Sequence, residues 1–250
     1  MKNIARLKIG LILLLCLGLS LSCGGKVTTR TEEPVYKFTI NGVVVKDMNS
    51  GKDISYFSIL RDSKPFSGAV VTVGSDTLED QGNGNYYMEG SALFAFGGSI
   101  SVEVSSVQDD FTVSKLVEIP GSLSILELPA DDKYNVGGHS VIVSWTASVK
   151  ASGYFLSTVK PDGLPGYTER DLDKNRSENV PPDAFRTNQD NLVEGSYKVY
   201  VVAYWGGFPY YYGFPFDLPS GIPTGNIDGA NGTIGAGVIS QYVTIEVTSG

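Results

Sequence analysis

The chain has 250 residues, 42% of them hydrophobic and 18% charged, with a net charge of −8 and one histidine. Charge is sparser than the ~25% of an ordinary soluble domain, while aromatic and β-branched residues run throughout, which excludes a disordered chain. The acidic balance repels phosphate backbones and anionic lipid, so neither nucleic acid nor electrostatic adhesion to a membrane is expected.

Residues 1–8 are short and basic, with Lys2, Arg6 and Lys8, and residues 9–21 are almost unbroken in their apolarity. That run falls short of the ~20 residues of a spanning helix. A basic start, an apolar middle and small residues at the end make the layout of a secretory signal peptide. Leu19-Ser20-Leu21-Ser22-Cys23-Gly24 then resembles the lipobox of bacterial lipoproteins. Two positions depart from that motif: Leu19 lies one place further from the cysteine than usual, and Leu21 occupies a place where a small residue is commoner. The resemblance implies removal of residues 1–22, a thioether-linked diacylglycerol on Cys23, and acylation of the new amine. Two or more acyl chains hold stably where one is marginal. Gly24, rather than Asp, after the cysteine implies the outer membrane if the envelope has two. Cys16 leaves with the leader and Cys23 is taken by lipid, so no thiol is expected for a disulfide, a zinc site or a nucleophile. Residues 23–34 read as a lipidated, flexible tether.

Beyond the tether, Tyr36, Phe38 and Ile40 alternate with Lys37 and Thr39, the period of a half-buried strand. Asn41-Gly42 predicts a tight hairpin leading into Val43, Val44 and Val45. Further strands are expected at 54–60, 69–73, 86–88, 100–104 and 111–119. Turn signals separate them, among them Asn49-Ser50-Gly51 and Gly82-Asn83-Gly84-Asn85. Short strands at this spacing indicate a sandwich, so 35–121 reads as an immunoglobulin-like β-sandwich that Pro120-Gly121 closes.

Residues 122–250 restart the pattern. Val141-Ile142-Val143-Ser144-Trp145, Gly153-Tyr154-Phe155-Leu156 and the stretch from Leu192 through Gly195 and Tyr197 to Ala203 resemble a fibronectin type III domain. In that family a strand-B Trp fills the core, a Tyr opens strand C, and a Leu…Gly…Tyr segment enters strand F. The resemblance gives those roles to Trp145, Tyr154 and Tyr197, with a strand-F Tyr closing a corner onto backbone. Two departures stand out: an insertion at 161–191 and a long connection from 205 to 238 before a last strand at 239–247. The expected fold class is all-β: two immunoglobulin-like β-sandwich domains, the second fibronectin type III-like, after a cleaved leader and a tether.

No constellation for catalysis emerges. His139 is alone at a strand entry, without the Cys or further His that zinc needs and without a nucleophile elbow. Asp109-Asp110 and Asp131-Asp132 sit at turns, where Asp bonds local backbone. Asp171, Asp173 and Asn175 place oxygen at alternate positions, like the first half of a calcium loop. Arg176 then stands where Gly is needed and Pro182 where a bidentate Glu belongs. Asn226, Asp228 and Asn231 form a looser arrangement of the same kind. Both read as solvated polar loops, and no metal or other cofactor is expected.

The least ordinary segment holds Tyr204, Trp205, Phe208, Tyr210, Tyr211, Tyr212, Phe214 and Phe216. Pro209, Pro215 and the glycines preclude a regular helix or central strand. Such a loop either folds back over its own sandwich or offers a contact surface of rigid rings. The expected function is that of a membrane-anchored, non-enzymatic binding or scaffolding lipoprotein of the bacterial cell envelope. Its partners are the membrane, through the lipid, and an envelope protein or carbohydrate. The alternative is a carbohydrate-binding or carbohydrate-active surface protein that uses the rings of 204–216 as a sugar platform.

Overall fold

The computed structural model describes residues 37–128, 133–135, 140–171, 176–187, 191–209, 213–219 and 225–248. Tyr36–Gly250 forms one compact unit. Strand β1 (Phe38–Asp47) pairs antiparallel with β2 (Lys52–Arg61), in register from Phe38↔Arg61 to Asp47↔Lys52. The hairpin expected at Asn41-Gly42 does not form, because β1 runs straight through it. Gly42 lies opposite Phe57, and a Cβ there would stand 2.0 Å from the Phe57 ring. The glycine makes room for a ring instead of a turn. The turn falls at Asn49-Ser50-Gly51, where Gly51 has φ 70° and the Asp47 carboxylate accepts from the Asn49 N–H and the Ser50 hydroxyl.

The first segment continues with β3 (Lys64–Pro65), β4 (Val70–Val73), β5 (Asp76–Thr77), β6 (Glu79–Gly82), β7 (Asn85–Gly90), β8 (Ser99–Ser106) and β9 (Phe111–Glu118). The second holds β10 (Ile125–Glu127), β11 (Lys133–Asn135), β12 (Val141–Trp145), β13 (Gly153–Val159), β14 (Pro165–Asp171) and β15 (Ser177–Val180). A 3-10 turn at Pro182–Phe185, then β16 (Gly195–Gly206), β17 (Asn231–Ile239) and β18 (Val243–Thr248) complete it. The insertion at 161–191 therefore supplies strands of its own, β14 and β15. The last strand starts earlier than expected, at Asn231, and breaks at Ser240. There the Ser240 hydroxyl accepts from the Val201 N–H at 3.0 Å while its own N–H donates to the Val201 carbonyl.

Among the described residues, eleven strands make one sheet. Its main path is β11-β18-β16-β17-β1-β2-β7-β6, with β13 added beside β16, β14 beside β13, and β3 beside β2. Two smaller sheets, β5-β4-β8-β9 and β10-β12-β15, supply the opposing layer. One apolar core lies between the layers. Ile40, Phe57 and Val201 enter it from the large sheet, Val71, Val104 and Val113 from one small sheet, and Val143 and Trp145 from the other. Facing layers around a common core make this an all-β sandwich.

The two segments meet through β1 and β17, which pair in parallel from Thr39↔Asn231 to Asp47↔Ile239. The boundary at 121/122 thus passes between strands that share one sheet and one core. In the second segment the aromatic anchors take their expected places. Trp145 is buried, the Tyr154 hydroxyl accepts from the Ser148 N–H at 2.7 Å, and the Tyr197 hydroxyl donates to the Val193 carbonyl at 3.1 Å, tying β16 to the residues just before it.

Candidate functional site

Strand β13 is buried along its whole length, and so is β16 from Val199 to Tyr204. A strand alternates its side chains between two faces, so burial of consecutive residues requires a cover on both. The inner cover is the opposing layer. The outer cover is the segment after β16. Val43 and Val45 of β1, Phe155 of β13 and Tyr200, Val202 and Tyr204 of β16 form the outer floor, onto which Phe208, Phe214 and Phe216 fold.

The rings pack with one another as well as with the sheet. Phe155 meets Phe208 and Phe216 edge-on at 5.9 and 5.8 Å between centroids, and Tyr200 lies 5.4 Å from Phe216. Phe214 stacks on Phe208 and on Phe216, each at 5.5 Å. Edge-on and stacked geometries are the favourable ones for ring quadrupoles. Close approach depends on two glycines of β17. A Cβ at Gly237 would stand 2.4 Å from the Phe208 ring, and one at Gly235 would stand 1.4 Å from the Gly207 carbonyl oxygen.

Of the two readings of this segment, its described Phe rings take the first. Phe208, Phe214 and Phe216 are buried, and Trp205 is half-buried against the inner core on the opposite side of the sheet. The three Phe rings do not form an exposed sugar platform, because the sheet beneath needs them as a cover, and Trp205 faces the other side of the sheet. Tyr210, Tyr211 and Tyr212 lie outside the described residues. Burial pushes the Tyr200 phenol up to about 12, with the Asp47 carboxylate adding to the shift.

Other residues singled out in the sequence fall as follows. Cys23, His139, Asp131, Asp132, Asp173 and Asn175 lie outside the described residues, and Asp171 ends β14 opposite Tyr154. Among the described residues no group of three His, Cys, Asp or Glu is placed to hold a metal ion. Asn226 uses its side chain to grip β17: its amide donates to the Ile234 carbonyl at 2.6 Å and its oxygen accepts from the Ile234 N–H at 2.9 Å. Asp228 is exposed.

Two charged clusters escaped sequence reasoning. Asp109 does more than serve its own turn. Its carboxylate accepts from Lys37 before β1, from Arg61 on β2 at 2.9 Å and from Ser106 at 3.1 Å, tying the β8–β9 turn to the large sheet. The Lys37 bond foremost, with Arg61 and Ser106 behind it, holds this carboxyl below its ordinary value. Lys46 and Asp53, cross-strand neighbours on β1 and β2, form a buried pair at 2.6 Å. Sequence spacing gives no hint of either cluster, since the partners are joined only by the pairing register and by contact between sheets.

Two open clefts of about 400 Å³ each lie on the second segment. One is lined by Ala147, Ser148, Ser152, Tyr154 and Arg176. Its Tyr154 hydroxyl is engaged with Ser148, and the Ser148 hydroxyl donates to the Gly121 carbonyl at 2.7 Å. The other is lined by Lys160, Tyr167, Pro181, Asp183 and Arg186. Burial and the nearby Glu169 and Glu178 push the Tyr167 phenol up to about 12.

No family model matches this chain, and no curated protein matches it. Solved structures do. The chain is similar to the BSP domain of a biofilm-associated protein, at 11% identity over 84% of this chain and 30% of that one, with a TM-score of 0.25. It is similar to the FN1–FN3 domains of chicken CNTN1, at 11% identity over 82% of this chain and 63% of that one, TM-score 0.27. A two-domain fibronectin type III segment of chicken tenascin gives 13% identity over 60% of this chain and 83% of that one, TM-score 0.24. The chain spans less than two-thirds of the first two. Its place among β-sandwiches rests on the facing layers described above.

Proposed function

We propose that this chain is a lipid-anchored, non-enzymatic binding or scaffolding module of the bacterial cell envelope. The observation that carries the non-enzymatic part is how the fold uses its polar side chains. Lys46–Asp53, Asp109 with Lys37 and Arg61, Asn226 on Ile234, and the hydroxyls of Tyr86, Tyr154 and Tyr197 are each engaged in joining one element to another. Side chains held this way stiffen a body that presents its surface to a partner. They are not arranged as a nucleophile, base and oxyanion site.

The anchor rests on the leader, with its basic start, apolar middle and Cys23. Gly24 after that cysteine favours the outer membrane, and the partner is an envelope protein or carbohydrate reached by the anchored body. Burial of Phe208, Phe214 and Phe216 weighs against a sugar platform built from the 204–216 rings. Metabolic labelling with a fatty-acid probe tests the anchor. Label and membrane association are expected for the native chain and lost in Cys23→Ser; label retained by the variant overturns the reading.

A further inference from the structure

The buried Lys46–Asp53 pair is part of a larger knot. Lys46 Nζ donates to Asp53 at 2.6 Å and to the Phe94 carbonyl at 2.7 Å, and the second Asp53 oxygen accepts from the Phe94 N–H at 3.2 Å. The ammonium also lies 5.1 Å from the Phe94 ring centroid and 4.7 Å from that of Phe96. A buried ion pair persists when further hydrogen bonds and ring faces satisfy its remaining capacity. Here the backbone and rings of residues 91–98, the strap between β7 and β8, supply them.

The far end of that strap is held to the close of the first segment and, through Val149 and Lys150, reaches the second. The Gly97 N–H donates to the Pro120 carbonyl at 3.1 Å, and the Gly98 carbonyl accepts from the Ile119 N–H at 3.0 Å. Lys150, in the turn before β13, donates to that same Gly98 carbonyl at 3.0 Å and to the Ser99 hydroxyl at 2.8 Å, and pairs with Glu118. Val149 beside it seats against two glycines: a Cβ would stand 3.1 Å from its methyl at Gly97 and 2.8 Å at Gly121. The Gly121 N–H donates to the Val149 carbonyl at 2.9 Å.

We infer that residues 91–98 are a clasp between the two segments, latched at one end by Lys46–Asp53 and closed at the other by Val149 and Lys150. Parallel pairing of β1 with β17 joins the segments within the sheet. The clasp joins them a second time, from a latch near the Asp47 end of β1, and two such joints at different places remove the freedom to swing about either one. The latch is buried and the closing end exposed, so the two ends are separately accessible to substitution.

Hydrogen exchange on the full exported chain tests the clasp, through the amides of Gly97, Ile119 and Gly121. Asp53→Asn leaves Lys46 with an uncompensated buried charge, and it is expected to speed exchange at these amides by about tenfold or more. The amides of Val201 and Ser240, deep in the second segment, keep their protection. Lys150→Ala acts at the exposed end, where folding is not at risk, and is expected to speed the same amides. With the latch already open, adding Lys150→Ala to Asp53→Asn gives no further increase. Factors that multiply in the double variant overturn the clasp, because the ends would then be independent. So does unchanged exchange at Ile119 in Lys150→Ala alone, which decides the matter even if Asp53→Asn fails to fold.

Discussion

Gly237 lies directly beneath Phe208, so close that a Cβ at 237 would stand 2.4 Å from the ring. This contact seats the first ring of the outer cover on β17. Gly235, at the alternate position on the same outer face as Gly237, makes room instead for the Gly207 carbonyl oxygen, 1.4 Å from where a Cβ would stand. Their neighbours on the inner face, Ile234, Ala236 and Val238, carry side chains into the main core.

The cover is therefore an integral second core. Phe216→Ala is expected to destabilise the chain by about 3–5 kcal/mol, the usual cost of deleting a buried large ring. Gly237→Ala is expected to cost about 1–3 kcal/mol by overpacking against Phe208. Denaturant unfolding monitored by circular dichroism measures both. Stability within a few tenths of a kcal/mol of the native chain in both variants would mean that the rings do not rest on the sheet.

Much of this was legible in the sequence, unevenly. The strands of the first segment follow from alternation, which reports local burial directly, whereas the roles of Trp145, Tyr154 and Tyr197 are implied by the fibronectin type III resemblance. Asn41-Gly42 misled because the same dipeptide serves a turn or a tight cross-strand contact, and only the position of Phe57 decides which. The run Val199-Tyr200-Val201-Val202-Ala203-Tyr204 lacks alternation and so signals cover on both faces. It does not say that Phe208, Phe214 and Phe216 provide it. The β1–β17 pairing left no local trace, because parallel strands need a long connection and no turn marks them. The Lys46–Asp53 and Asp109 clusters were hidden for the same reason: each depends on register or on contact between layers.

Alkaline pH should loosen the outer cover. The Tyr200 phenol is buried and pushed up to about 12, so between its ordinary value near 10 and 12 the folded state holds a proton that the unfolded state has released. Stability is fully present below about pH 10 and falls as pH rises toward 12. A Tyr200→Phe variant is expected to show a shallower alkaline decline in melting temperature than the native chain. Identical declines would place Tyr200 outside the cover.

Acid should loosen the tie at the other end of β1. Asp109 has its carboxyl lowered chiefly by Lys37, with help from Arg61 and Ser106, so its contribution is complete above its unfolded value. That contribution is lost as pH falls through the folded value. Asp109→Asn is expected to lower stability at neutral pH and to flatten the decline in acid. Thermal melts of both chains across the acid range measure this; parallel curves would assign the acid sensitivity to other carboxylates.

Tyr36–Gly250 forms one compact unit, joined where β1 lies between β2 and β17. Expressing residues 35–121 and 122–250 as separate chains tests it most directly. Each half would then carry a long strand edge stripped of its partner, β1 in one and β17 in the other, and half of a divided core. Calorimetry is expected to show a single cooperative transition for the joined chain, and for each half alone either none or one at a much lower temperature. Two halves that each melt cooperatively at the temperature of the joined chain would contradict the account.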